Sequence, residues 1–135
     1  MSCSQVYLRN AVAVVMVYDV TDAVSFEKLA VFWDMVASTA APNCITVLCG
    51  NKVDLVEDGV KPQAVTETDA RHLATERKAC RLLYTSAKTG QNITDIFDTV
   101  CEALTTKGIQ YTGSASVIRP AEASASAHPK PCCAS

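Results

Sequence analysis

At 135 residues, 49% of them hydrophobic and 19% charged, the chain has the makeup of one soluble globular domain. A net charge of -2 excludes electrostatic capture of nucleic acid, which needs clustered Lys and Arg. The longest unbroken apolar run, residues 11–18, is far short of the roughly 20 residues of a membrane-spanning helix.

The opening Met1-Ser2-Cys3-Ser4-Gln5 lacks the positive start and apolar core of a signal peptide, so a cytosolic chain without disulfides is expected. Residues 11–18 (AVAVVMVY) are apolar and rich in β-branched side chains, which predicts a strand buried on both faces of a parallel sheet. The chain then turns polar, and Asp19 and Asp22 are expected to cap and turn it. From Ser25 onward Phe26, Leu29, Ala30, Trp33, Val36 and Ala37 recur at helical spacing, predicting an amphipathic helix with Trp33 in the core, ended by Pro42 and Asn43. Residues 45–49 (ITVLC) predict a second strand that stops at Gly50, just before Asn51-Lys52-Val53-Asp54. Residues 57–63, containing Gly59 and Pro62, read as a loop, and Thr66-Glu67-Thr68-Asp69 has the form of a capping box opening a helix to about Ala79. Residues 81–85 (RLLYT) predict the third strand. Gly90 makes a turn, Asn92 is a candidate cap, and Ile93, Ile96, Phe97, Val100, Cys101 and Leu104 form a helical stripe.

This alternation predicts an α/β fold, a three-layer parallel sheet with helices on both faces. Ligands of such sheets bind beyond the carboxyl ends of the strands, where Asn51 to Asp54 and Thr85 to Lys88 both fall. Cys3, Cys44, Cys49, Cys80 and Cys101 lack CxxC spacing and histidine neighbours, so no zinc site is expected, and Cys49 and Cys101 read as small buried hydrophobes. His72 and His128 have no partners at metal or triad spacing and read as solvated surface. After Leu104 the sequence turns to Thr, Ser, Ala, Gly and Pro, too little apolar surface to offset the entropy of ordering it. Residues 105–135 are therefore expected to be a flexible tail, spanning on the order of 30 Å before its cysteines.

Asn51-Lys52-Val53-Asp54 fits the NKxD motif of small GTPases, and Thr85-Ser86-Ala87-Lys88 fits their SAK motif. Val17-Tyr18-Asp19-Val20-Thr21-Asp22 followed by Ser25-Phe26 resembles the run leading into the helix after the second switch of Rab-type members, and residues 5–10 look like the end of that switch. The resemblance is therefore to Rab-type small GTPases of the Ras superfamily, continuous from residue 5 to 104. It implies a P-loop NTPase fold of the small-GTPase kind, N-terminally truncated, with residues 1–104 as its guanine-recognition half. Guanine presents N1–H and N2–H donors on one edge and O6 and N7 acceptors on another. By resemblance, the Asp54 carboxylate accepts from both donors, and adenine is rejected because it would leave a buried carboxylate oxygen unpaired. The resemblance further implies that Asn51 bonds near N7 and braces neighbouring backbone, the stem of Lys52 lies over the base, the Ala87 N–H reaches O6, Ser86 steadies Asp54, and Lys88 covers the other side of the base.

The GxxxxGK[ST] phosphate loop, the switch threonine and the DxxGQ segment occur nowhere in the sequence. GTP or GDP is thus expected to be met at the guanine end alone, weakly, with Mg²⁺ and hydrolysis belonging to a complete form. In the family's strand order the phosphate-loop strand lies beside residues 11–18, so its removal would leave an apolar edge open to aggregation. Three accounts fit: a partial gene model of an intact GTPase, which is the expectation, a degenerate copy, or a protein that pairs this edge with a partner. The terminal Cys132-Cys133-Ala134-Ser135 matches CaaX and also resembles doubly geranylgeranylated Rab ends. Prenylation there implies peripheral residence on the cytosolic face of endomembranes, with an escort protein or GDI, exchange factors and effectors as partners in a complete form. The competing readings are a noncatalytic prenylated adaptor or degenerate pseudo-GTPase that holds effectors without nucleotide, and a generic doubly wound binding domain.

Overall fold

The computed structural model describes residues 3–107. The expected prenylation sites Cys132 and Cys133, and nearly all of the tail, lie outside those residues. In chain order the elements are α1 (Cys3–Leu8), β1 (Ala13–Asp19), α2 (Ala23–Glu27), α3 (Leu29–Thr39), β2 (Ile45–Asn51), α4 (Val53–Glu57), α5 (Glu67–Glu76), β3 (Arg81–Tyr84) and α6 (Ile93–Thr106).

The three strands form one parallel sheet in the order β1-β2-β3. Its register runs from Ala13 opposite Ile45 to Asp19 opposite Asn51, and from Val47 opposite Arg81 to Gly50 opposite Tyr84. β2 is central and buried along Ile45 to Gly50, which is why its sequence shows no polar alternation. Alternate side chains of the sheet feed two separate cores. Met16, Tyr18 and Leu48 meet Leu29, Trp33 and Val36 of α3 and Ala70 of α5 on one face. Val47, Cys49 and Leu83 meet Ile96 of α6 on the other. The sheet is thus the middle of three layers, as expected.

Local chemistry sets the helix ends. Asp22 caps α2 by accepting from the Val24 N–H at 3.0 Å, and Thr66 Oγ1 caps α5 by accepting from the Asp69 N–H at 3.1 Å. α5 stops at Glu76 rather than near Ala79. Lys78 takes a left-handed φ of 55°, its N–H bonds to Thr75, and the Ala79 N–H bonds back to Ala74 at 2.8 Å. That is a Schellman stop made without glycine, so no glycine marks it in the sequence.

Several other expectations need correction. The helix expected from Ser25 begins at Ala23 and is split at Lys28, whose backbone stays helical between α2 and α3. The short helices α1 and α4 have too few residues to show a stripe. β2 runs through Gly50 to Asn51 instead of stopping at Gly50: a Cβ there would lie 2.8 Å from the Tyr18 hydroxyl and 2.9 Å from Tyr84. Glycine serves close approach here, not a turn. Asn92 does not cap α6; it sits at φ 57° and its Nδ2 donates to the Tyr84 carbonyl at 2.8 Å. Phe97 and Cys101, assigned to the buried stripe, face solvent, while Ile96 and Thr99 are buried. α6 packs chiefly on the central strand, and the side of its stripe that meets the sheet is that of Ile93, Ile96 and Val100.

Candidate functional site

The carboxyl ends of β2 and β3 lie side by side, and the segments that leave them are tied together. The Thr85 N–H donates to the Gly50 carbonyl at 2.8 Å and the Val53 N–H to the Thr85 carbonyl at 3.2 Å. This brings Asn51, Lys52 and Asp54 to one wall of a cleft and Ala87 and Lys88 to the other. With Leu55 they line a cavity of about 340 Å³. Ser86 does not reach its surface, being fully buried beneath it.

Lys52 turns the chain. Its φ of 67° is left-handed, a conformation that costs a side-chain-bearing residue roughly 1 kcal/mol, and it ends β2 abruptly so that α4 starts at Val53. Its ammonium lies 3.0 Å from Asp19 Oδ2, joining the ends of β1 and β2. Asp19 also accepts at Oδ1 from the Thr21 N–H at 2.9 Å and from Thr21 Oγ1 at 2.7 Å. Partial burial works against the Asp19 charge, but the Thr21 hydrogen bonds and the Lys52 ammonium outweigh it and hold the carboxyl below the usual carboxylate range. The turn-forming role expected of Asp19 is present. Its ion pair with Lys52 is not legible in the sequence, because 32 intervening residues separate the partners and only the strand pairing of Asp19 with Asn51 brings them together.

Asp54 is buried, at 6% exposure, at the start of α4, and its Oδ1 accepts from Ser86 Oγ at 2.7 Å. Ser86 Oγ also accepts from the Thr89 N–H at 3.1 Å, and the Ser86 N–H donates to the Gln91 carbonyl at 3.1 Å. The serine is therefore fixed before it meets the carboxylate. Asn51 Oδ1 accepts from Thr85 Oγ1 at 3.3 Å and from the Ala87 N–H at 3.0 Å, so the amide expected to serve the base is held on Asn51. Cys49 lies below, its Sγ 3.0 Å from Thr85 Oγ1 and its thiol pushed up by burial.

A buried carboxylate with one oxygen braced and two lysine stems at the walls suits a flat heterocycle bearing adjacent N–H donors. Among the described residues no group of three His, Cys, Asp or Glu gathers to hold a metal ion, and no helix is long and apolar enough to cross a membrane.

Comparison with known proteins supplies an independent finding. Residues 1–106 match the family model described as the Ras family. The chain is 36% identical over 110 residues to the Ras-related protein Rab-1 of Theileria parva, covering 81% of this chain and 48% of that protein. It is 38% identical over 106 residues to the GTP-binding protein ypt5 of Schizosaccharomyces pombe, covering 76% of this chain and 47% of that one. Against the Ras-related protein Rab-4B of Homo sapiens it is 31% identical over 146 residues, covering 97% and 66%. The chain spans about half the length of most curated relatives it matches.

Proposed function

We propose, for a chain that belongs to the Ras family as a Rab-type small GTPase, that the cleft between α4 and the loop after β3 takes the guanine base of GDP or GTP. The observation that carries this reading is the Asp54 carboxylate, buried in the cleft with one oxygen accepting from Ser86. Its remaining acceptor capacity matches the paired N1–H and N2–H donors of guanine, and adenine has no such pair. Lys52 and Lys88 supply the stems that cover the two faces of the base, with Asn51 beside its N7. Mg²⁺ and the phosphates belong with segments not found in this sequence. The residues present do not fit the metal, since among the described residues no three His, Cys, Asp or Glu side chains gather.

In a complete form the protein would switch between GDP and GTP in vesicle trafficking, with exchange factors and effectors reading the switch. Isoprenoids on Cys132 and Cys133 would hold it on the cytosolic face of endomembranes, two chains giving stable residence where one is marginal. Intact-mass measurement of the chain expressed in eukaryotic cells should find those added masses, and an unmodified folded sample would remove the lipid from the reading.

Base recognition is tested by amide NMR of the chain with guanosine and adenosine. Without phosphate contacts, guanosine should bind weakly, with Kd on the order of millimolar, and shift the amides of Asn51, Asp54 and Ala87. Equal shifts from adenosine, or none from guanosine, would overturn it.

A further inference from the structure

A second cavity, of about 510 Å³, lies behind α4. At 100° per residue, Val53, Val56 and Glu57 share one face of that helix, while Asp54 and Leu55 face the base cleft. The cavity is therefore separate from the cleft. Its apolar wall is Val20, Val53, Val56 and the ring of Tyr84, and its charged lining residues, Glu57 and Glu67, are both acidic.

The two carboxylates differ in what they already hold. Glu67 is paired with Arg71 one turn along α5. Glu57 forms no ion pair among the described residues, and its side-chain hydrogen bond is a long one, 3.4 Å from Gln91 Nε2. Gln63, also lining the cavity, commits its Nε2 to the Val65 carbonyl at 2.7 Å, which leaves its side-chain oxygen to accept. The cavity thus combines an apolar, aromatic wall with a rim of acceptors and an unneutralised negative charge.

We propose that this cavity receives an arginine side chain presented by a protein partner. The aliphatic stem packs on Val20, Val53 and Val56, as long cationic side chains do on apolar surface. The guanidinium reaches Glu57 and the Gln63 oxygen with its fork of donors and lies against the Tyr84 ring. An uncharged apolar residue would leave the rim acceptors covered and unpaired, and an acidic one would meet Glu57 at close range.

The test is methyl and amide NMR of the whole chain titrated with acetyl-Ala-Arg-Ala-amide and with the same peptide carrying citrulline, the neutral isostere of arginine. Saturable shifts of the Val20, Val53 and Val56 methyls are expected with the arginine peptide, at least about tenfold weaker with citrulline. Glu57→Gln, an exposed substitution whose folding is checked by unchanged spectral dispersion, should reduce the arginine peptide to the citrulline level. No saturable shift, equal binding of both peptides, shifts confined to the base cleft, or full arginine binding by folded Glu57→Gln would each overturn the assignment. Nucleotide is absent from the titration, so its outcome is independent of the base-cleft reading.

Discussion

Ser86 Oγ donates to Asp54 Oδ1 across 2.7 Å, and both side chains are buried where the ends of β2 and β3 meet. With the Val53 N–H bond to the Thr85 carbonyl, this contact ties the loop after β3 to the start of α4 and anchors one oxygen of the carboxylate. Replacing Ser86 with Ala removes the donor and leaves a buried charged oxygen unsatisfied, which should cost about 1–3 kcal/mol. Urea unfolding should show a lower midpoint with an unchanged slope. An unchanged midpoint would mean that Asp54 is braced by something other than Ser86.

Asp54 itself should set base selectivity. In a chimera that places a Rab phosphate-loop and switch segment before Gln5, Asp54→Asn exchanges an acceptor for an amide that can donate, favouring xanthine, which has an oxo group where guanine has its amine. Loss of the two-bond charged contact should weaken GDP by on the order of 3 kcal/mol, about a hundredfold or more. Calorimetry with GDP and XDP on both versions decides it: a preserved GDP preference would show that Asp54 does not read the base.

The contact of Gly50 with Tyr18 and Tyr84 makes a stability prediction. A Cβ at position 50 would fall 2.8 Å from the Tyr18 hydroxyl, 2.9 Å from the Tyr84 ring and 2.9 Å from Val20. Gly50→Ala should therefore destabilise by about 1–3 kcal/mol through overpacking. The Tyr18 hydroxyl is buried beside Tyr84 with no partner in good hydrogen-bond geometry among the described residues, and burial, then Tyr84, push its phenol well up. Tyr18→Phe alone should be neutral or stabilising, and combined with Gly50→Ala it should recover part of the loss. Chemical denaturation of the three variants checks this, and a large loss in Tyr18→Phe would reveal an acceptor for that hydroxyl.

Asp19 gives a pH dependence of defined sign. Its folded pKa lies below the unfolded value near 3.9, so its contribution is present above the unfolded pKa and lost as pH falls through the folded one. Lys52 is 47% exposed, so solvent screens the pair, and the Asp19 contribution should be at most about 1 kcal/mol. Asp19→Asn should thus be less stable than the parent at pH 7, with the gap closing below about pH 4. A gap constant across that range would assign the loss to packing rather than charge.

What the sequence revealed and what it hid follow from the range of the interactions concerned. The existence of the three strands and the capping of α2 and α5 are readable from neighbours within a few residues, as with Asp22 and Val24 or Thr66 and Asp69, but burial of β1 on both faces is not what forms: β1 is an edge strand and its Val17 is exposed. The cleft residues were readable as a set because two short motifs fall at predicted strand ends. Their mutual bracing has no local signal, because it depends on strand register: Ser86 against Asp54 and Asn51 against neighbouring backbone come only through the family resemblance, and Lys52 with Asp19 not at all. Gly50 was misread because glycine more often marks a turn, and only the tyrosines facing it show why it continues a strand. Phe97 was misplaced because helical spacing gives the stripe but not the width of the surface that covers it.

The sheet order β1-β2-β3 also bears on how the molecule assembles. Every strand pairs with the next one made, and the two crossovers are of similar length, so neither closure is much costlier than the other. As the chain emerges during synthesis, β2 finds β1 already present and β3 finds β2. The Asp54 carboxylate exists well before its brace, since Ser86 follows β3. The Ser86–Asp54 bond can therefore form only once β3 lies beside β2, and it works as a clasp between the ends of those two strands.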